Sequence, residues 1–507
     1  MIRTLLLASM CFVLSTPCHA ELKMSSVFGD HMVLQQKQPV RIWGWTAPRQ
    51  TVSVAFASQN AVTTADKDGR FQLNLEPVAA GGPYTLTVKA DETKTFQDVL
   101  VGEVWLCSGQ SNMQFAVSSS NDPDLEVLTA NYPNIRLISV PQVGTQEPQD
   151  DFSGEWTACT PETVGSFSAA GYFFGRQLHQ TLDVPIGLID NAWGGSACEA
   201  WIRRDLFTDG DLYGALMDRW KKTEATYNHD VAVEAWKERV EKWKVNRKGG
   251  QPRAPRNPLT GQHRPANLYN GVLKPILGYT IKGCIWYQGE SNASRAYQYR
   301  DLFPLMIQSW RDEWAQGDFS FYWVQLADFR AEQPEPADSD WAELREAQTM
   351  TMNKLENTGE AVILNLGEAA DIHPKNKLDV ARRLARWALA KDYDIDVVFH
   401  SPLFDSLEVS GDRIQVTFDH IGGGLDTFDV TAPIGFTIAG NDRKFVSASA
   451  RIVDKDTIEV WADSVSTPVA VRYAWADNPV CNVQNREGLP VTPFRTDSWP
   501  GTTVDNR

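Results

Sequence analysis

Four short apolar runs in this chain each end in a loop of glycine and polar residues, and that recurrence restricts the fold more than any other feature. The runs are Val104-Trp105-Leu106 into Cys107 to Asn112, Ile186-Gly187-Leu188-Ile189 into Asp190 to Gly195, Cys284-Ile285-Trp286 into Tyr287 to Asn292, and Val362-Ile363-Leu364 into Gly367 to His373. Uninterrupted apolar runs of this length suit strands buried on both faces, as in a parallel sheet between helices. Parallel strands send all four loops to one carboxyl-terminal edge, where open α/β sheets bind their ligands. A serine, paired glycines, side-chain amides and an aspartate with a histidine would then share one crevice.

The surrounding pattern divides the chain into three. From 21 to 97 the residues alternate at period two, as in Thr51-Val52-Ser53-Val54-Ala55-Phe56, with a turn at Asp66 to Gly69, which predicts an antiparallel β module. From 98 to 394 apolar strands alternate with helical stretches such as 296 to 314 and 375 to 391, the mark of βαβ units. A charged, tryptophan-containing insertion at about 211 to 266 interrupts this core and is helical by composition. From 395 to 507 the strand pattern returns, predicting a second β module.

The 507 residues carry a formal charge of -16. That balance argues against nucleic acid or an anionic membrane as the main partner, since both call for a basic face. Residues 1 to 20 combine Arg3, an apolar run from Leu5 to Leu14 and an exit at Cys18-His19-Ala20, which reads as a secretory signal peptide. The mature protein is therefore expected to be periplasmic or secreted and free of the membrane after cleavage. It retains Cys107, Cys159, Cys198, Cys284 and Cys481, an odd number, so at least one thiol stays unpaired within the chain. Neither Cys-x-x-Cys nor His-Glu-x-x-His occurs, and no zinc site is encoded.

Ser111 stands where a strand would turn into a helix, a position that exposes its Oγ beside free helix N–H groups able to bind an oxyanion. The same Ser111-x-x-Gln114 spacing also spells a helix-capping box. Asp371 and His373, two residues apart, project to one side of an extended segment. His373 would take the serine proton while Asp371 orients its ring, with Glu368 a substitute acid. A solvated loop histidine beside a capping aspartate is the plain alternative. Gly194 and Gly195 offer backbone N–H donors, Gln288 and Asn292 side-chain donors, and Trp193, Glu199, Tyr287 and Glu290 are candidate walls of the substrate site.

Five motifs together resemble one family. Gly109-Gln110-Ser111-Asn112-Met113, Trp193-Gly194-Gly195-Ser196 with Glu199-Ala200-Trp201, Leu268-Tyr269-Asn270-Gly271, Trp286 to Asn292 and Asp371-Ile372-His373-Pro374 are similar, in order, to the bacterial sialate O-acetylesterases, which are SGNH hydrolases. The likeness runs over nearly all of the mature chain. It implies an α/β, flavodoxin-like core flanked by β-sandwich-like modules. It also implies a serine esterase that removes acetyl groups from sugar hydroxyls through an acyl-serine, without metal or cofactor. On this resemblance Ser111 is the nucleophile, His373 the base, Asp371 its partner, and Gly194 or Gly195 with Gln288 the oxyanion donors. Many SGNH enzymes place the acid three residues before the histidine, a position held here by Ala370, so a Ser-His dyad is the alternative. The block around Gln288 also lacks the usual asparagine, leaving Gln288 against Asn292 open.

The expected partner is an acetylated carbohydrate, either a sialic acid or a hemicellulose such as xylan or xyloglucan. The acidic composition favours a neutral sugar, although Arg203, Arg264 and Arg345 offer charges that a sialate carboxylate would need. A second reading is a carbohydrate-binding protein with an inactive hydrolase core. A third, an α/β-hydrolase lipase or peptidase, lacks its Gly-x-Ser-x-Gly elbow.

Overall fold

The computed structural model describes residues 21–507, so the signal segment expected at 1 to 20 lies outside the described residues. At its centre is a parallel sheet of six strands: β1 (Thr93–Gly109), β2 (Tyr132–Ser139), β3 (Ile186–Asp190), β4 (Gly283–Tyr287), β5 (Ser320–Val324) and β6 (Thr358–Ala361), in the spatial order β2-β3-β1-β4-β5-β6. Thr157–Cys159 adds an antiparallel edge to β2. Side chains of successive residues go to opposite faces and build two separate cores. Trp286, Phe321 and Trp323 pack with α3 (Ala296–Trp314) and α4 (Asp340–Thr351). Ile285, Tyr322 and Val324 pack with α2 (Ala169–Leu182) and α5 (Lys377–Asp392). The helix-sheet-helix layering expected of the apolar runs is present. α1 is the single turn Ser111–Gln114 that follows β1.

β1 also joins the amino-terminal module to the core. Its first residues alternate between exposed and half-buried and pair with Gly81–Lys89, whereas Val99 to Gly109 are all buried, and Glu103 to Gly109 pair with β3 and β4. One strand thus changes from a one-sided to a two-sided burial pattern without a linker. The carboxyl-terminal residues form two four-stranded antiparallel sheets. Ile414, Val416 and Val460 of one share a core with Ile438, Val471 and Tyr473 of the other.

The fourth apolar run differs from expectation. Pairing of β6 ends at Ala361, and Val362 to Leu364 continue beyond the sheet. Their hydrophobicity serves two neighbours instead: Ile363 packs with the α2/α5 core, and Val362 and Leu364 pack into the carboxyl-terminal module. The insertion contains two helices, Gly210–Thr226 and His229–Asn246. The five cysteines among the described residues are unpaired thiols; Cys107 and Cys284, on adjacent strands, are fully buried, and burial pushes both thiols up.

Candidate active site

The strand order reverses direction at β1, and the loops after β1, β2 and β3 open into one crevice that His373 also lines. Gly109 makes the turn out of β1 possible. Its φ is +135°, and a Cβ there would sit 2.3 Å from the Tyr287 carbonyl oxygen of β4. Ser111 follows as the first residue of α1, where helix N–H groups lack intrahelical acceptors. Its Oγ lies 2.8 Å from His373 Nε2, across 262 residues of chain. The capping-box alternative is not formed: the serine oxygen faces the histidine, and Gln114 Oε1 accepts the Gly194 N–H at 2.8 Å.

On the histidine side, Asp371 Oδ1 accepts the His373 backbone N–H at 2.9 Å and lies 3.4 Å from Nδ1. The side chain of Asp371 is 49% exposed, so its hold on the ring is loose. Glu368 is spent on the Lys375 N–H. Phe115 lies roughly parallel to the imidazole, with ring centroids 6.3 Å apart.

A buried polar cluster underlies this pair. Asn112 Nδ2 donates to Glu290 Oε1 at 2.6 Å and to the Ile372 carbonyl at 3.1 Å, while its Oδ1 accepts from Lys377 Nζ at 2.8 Å. Asn112 thereby ties the serine loop to the residue before His373. Lys377 is fully buried against Phe115 and Tyr287, and burial lowers its ammonium to about 7, opposed by Glu290, Asp371 and Glu368. Burial raises the Glu290 carboxyl in turn.

Several expected site residues lie beneath the crevice. Gln288 is fully buried, and its amide donates to the Ser196 carbonyl and to Asn292 Oδ1 while its oxygen accepts from Tyr299. Asn292 donates to Glu199 and accepts the Cys198 N–H. Glu199 in turn holds Arg295. These amides and this carboxylate are consumed in bracing the β3 and β4 loops, so the structure does not present Gln288 or Asn292 as donors to a group on Ser111. Tyr287 is buried in the core and Glu290 belongs to the Asn112 cluster, so neither forms an open wall. Trp193 stays half-buried, its N–H on the Gly109 carbonyl.

The glycine pair is fixed from outside. Gln262 donates to the Gly194 carbonyl, and Ser291 and His263 contact that of Gly195. A Cβ on Gly194 would lie 3.4 Å from the Ser111 Cβ, which places this residue beside Ser111. The three arginines considered for a sialate carboxylate are engaged elsewhere. Arg203 pairs with Asp205 and Glu313, Arg264 with Glu224, and the buried Arg345 with four backbone carbonyls.

Asp190, the last residue of β3, was singled out in the sequence only as part of a loop. Burial raises its carboxyl to about 7, against the single Ala192 N–H that lowers it. A carboxyl that binds protons more tightly when folded makes stability fall as pH rises from the unfolded to the folded pKa, here from about 4 to about 7. Asp190→Asn is therefore expected to gain roughly 1–3 kcal/mol on the parent between pH 5 and pH 8 in denaturant unfolding. An identical pH slope in both proteins would contradict this.

The family of carbohydrate esterases described as sialic acid-specific acetylesterase matches residues 101–236 and 261–387. This chain belongs to that family. The match skips 237–260, within the second half of the helical insertion. Relatives extend over nearly the full length: the chain is 30% identical to a sialate O-acetylesterase of Mus musculus, over 93% of this chain and 94% of the relative, and 28% identical to one of Homo sapiens, over 94% of each. A crystal structure of a carbohydrate acetylesterase from Xanthomonas citri superposes with a TM-score of 0.80 at 37% identity, covering 94% of this chain and all of that one. The crevice is thus that of a carbohydrate O-acetylesterase.

Proposed function

We propose that this acetylesterase works through an acyl-serine intermediate on O-acetylated sugars outside the cytoplasm. The 2.8 Å approach of Ser111 Oγ to His373 Nε2 carries the reading. Ser111 Oγ attacks the acetyl carbonyl carbon as its proton passes to His373 Nε2. The negative charge that develops on the carbonyl oxygen is met by the Ser111 N–H at the start of α1 and by the Gly194 N–H. In the free enzyme Gln114 Oε1 holds the Gly194 N–H, so the substrate carbonyl replaces a side-chain oxygen at this donor. His373 then protonates the departing sugar oxygen, and a water deprotonated by the same imidazole releases acetate from the serine. Asp371 orients the imidazolium and stabilises its charge. The signal-like residues 1 to 20 support export to the periplasm or medium.

Acetylated sialic acids and acetylated hemicelluloses such as xylan or xyloglucan are the substrate classes under this reading. Acetate release from a panel of both tests it, with a Ser111→Ala control. No release from any of them by the parent protein would overturn it. Because Asp371 is half exposed and not closely bonded to the ring, Asp371→Ala is expected to lose only about 10–100-fold in kcat/KM, far less than His373→Ala. Equal losses in the two variants would show a tight triad instead.

A further inference from the structure

We infer that Asp190 forms the floor of a sugar-hydroxyl subsite, and that the cleft it closes takes a neutral acetylated sugar in preference to an anionic one. The inference deepens, and rests on, the acetylesterase reading above.

The cleft has a volume of about 540 Å³ and is lined by Ser111 and His373 together with Asp190, Ser139, Gln142 and Ser166. The serines and Gln142 are exposed at its rim, while Asp190 is 9% exposed at the end of β3, level with Ser139 and Cys107 of the flanking strands. No lysine or arginine is among its lining residues. An ionised carboxylate offers about four acceptor positions. Asp190 uses one of its oxygens, Oδ1, for the Ala192 N–H at 3.0 Å, and no cation pairs with it. The buried Cys107 thiol is its titratable neighbour, and His373 lines the same cleft. A nearly buried, half-used carboxyl at the bottom of a cleft is costly unless a ligand completes its hydrogen bonds. A sugar hydroxyl does so, and a carboxyl poised near neutrality accepts from one hydroxyl or donates to another.

The same charge pattern disfavours an anionic sugar. A sialate carboxylate in this cleft would meet Asp190 and no guanidinium, since Arg203, Arg264 and Arg345 are tied to other partners. Hydroxyl-bearing neutral sugars meet only acceptors and donors.

The test compares kcat/KM for a mono-O-acetylated neutral glycoside, an O-acetylated sialic acid and 4-nitrophenyl acetate, in the parent protein and in Asp190→Asn. The parent is expected to prefer the neutral glycoside to the sialic acid by about tenfold or more. Asp190→Asn is expected to lower the ratio of glycoside to 4-nitrophenyl acetate activity by roughly tenfold, mainly through KM. A preference for the sialic acid, or a ratio unchanged in Asp190→Asn, overturns the inference while leaving the esterase reading intact. Absence of acetate release from either sugar by the parent, with no sensitivity to Ser111→Ala, overturns both. A loss shared equally by glycoside and 4-nitrophenyl acetate assigns Asp190 to loop support and overturns the subsite.

Discussion

Ser111→Ala is expected to lower acetate release by roughly 10⁴–10⁶-fold while leaving the unfolding transition almost unchanged. The two halves of this prediction have different causes. Ser111 Oγ spends its hydrogen bond on His373 and caps no helix N–H, so its loss removes the attacking atom without freeing a buried backbone group. A serine that held the helix start would behave oppositely, costing about 0.5–2 kcal/mol of stability with its loss. Kinetics on a chromogenic acetyl ester, run beside denaturant unfolding of the same preparations, separate the outcomes. His373→Ala should match Ser111→Ala closely, and the double variant should be little worse than either, because the two groups act as a unit.

Asn112→Leu is expected to have the largest effect on stability of any single change near the site. The Asn112 amide answers three partners at once: the half-buried Glu290 carboxyl, the buried Lys377 ammonium and the carbonyl of half-buried Ile372. Leucine removes all three bonds, leaving Lys377 with the Pro374 carbonyl alone, and each unmet buried group costs about 1–3 kcal/mol. A loss of at least about 3 kcal/mol follows, together with a fall in kcat as the His373 loop detaches from the serine loop. The companion variant Glu290→Gln, Lys377→Met removes both ionisable members yet keeps Asn112 on Ile372. It is expected to be less destabilised than Lys377→Met alone, since removing one partner strands the other. Unfolding free energies that simply add across this pair would contradict the coupling.

The sheet and the meeting of distant loops were legible because uninterrupted apolar runs and their polar ends are direct consequences of two-sided burial. Val99 to Gly109, buried throughout, is the clearest case. Ser111 was legible for the same reason, as the residue with the right chemistry at the end of β1, whereas His373 lies on the long loop between β6 and α5 and was legible only by its chemistry. Gln288 and Asn292 were misplaced because a glutamine at a strand end looks the same whether its amide faces the crevice or Tyr299 below it. Lys377 left no signal: a lysine in the first turn of an amphipathic helix is ordinarily solvated, and only the fold brings it under Asn112. Asp190 was hidden likewise, since an aspartate before an asparagine reads as a turn residue until burial is known. The end of β6 at Ala361 escaped notice because Val362 and Leu364 owe their hydrophobicity to the carboxyl-terminal module and not to the sheet.

The most direct measurement is covalent labelling with a fluorophosphonate, followed by intact mass and peptide mapping. A single adduct on Ser111 is predicted for the parent protein, none for Ser111→Ala, and labelling slowed by orders of magnitude for His373→Ala. An adduct on another serine, or labelling of Ser111 at an unchanged rate in His373→Ala, would contradict the claim that these two residues form one nucleophilic unit.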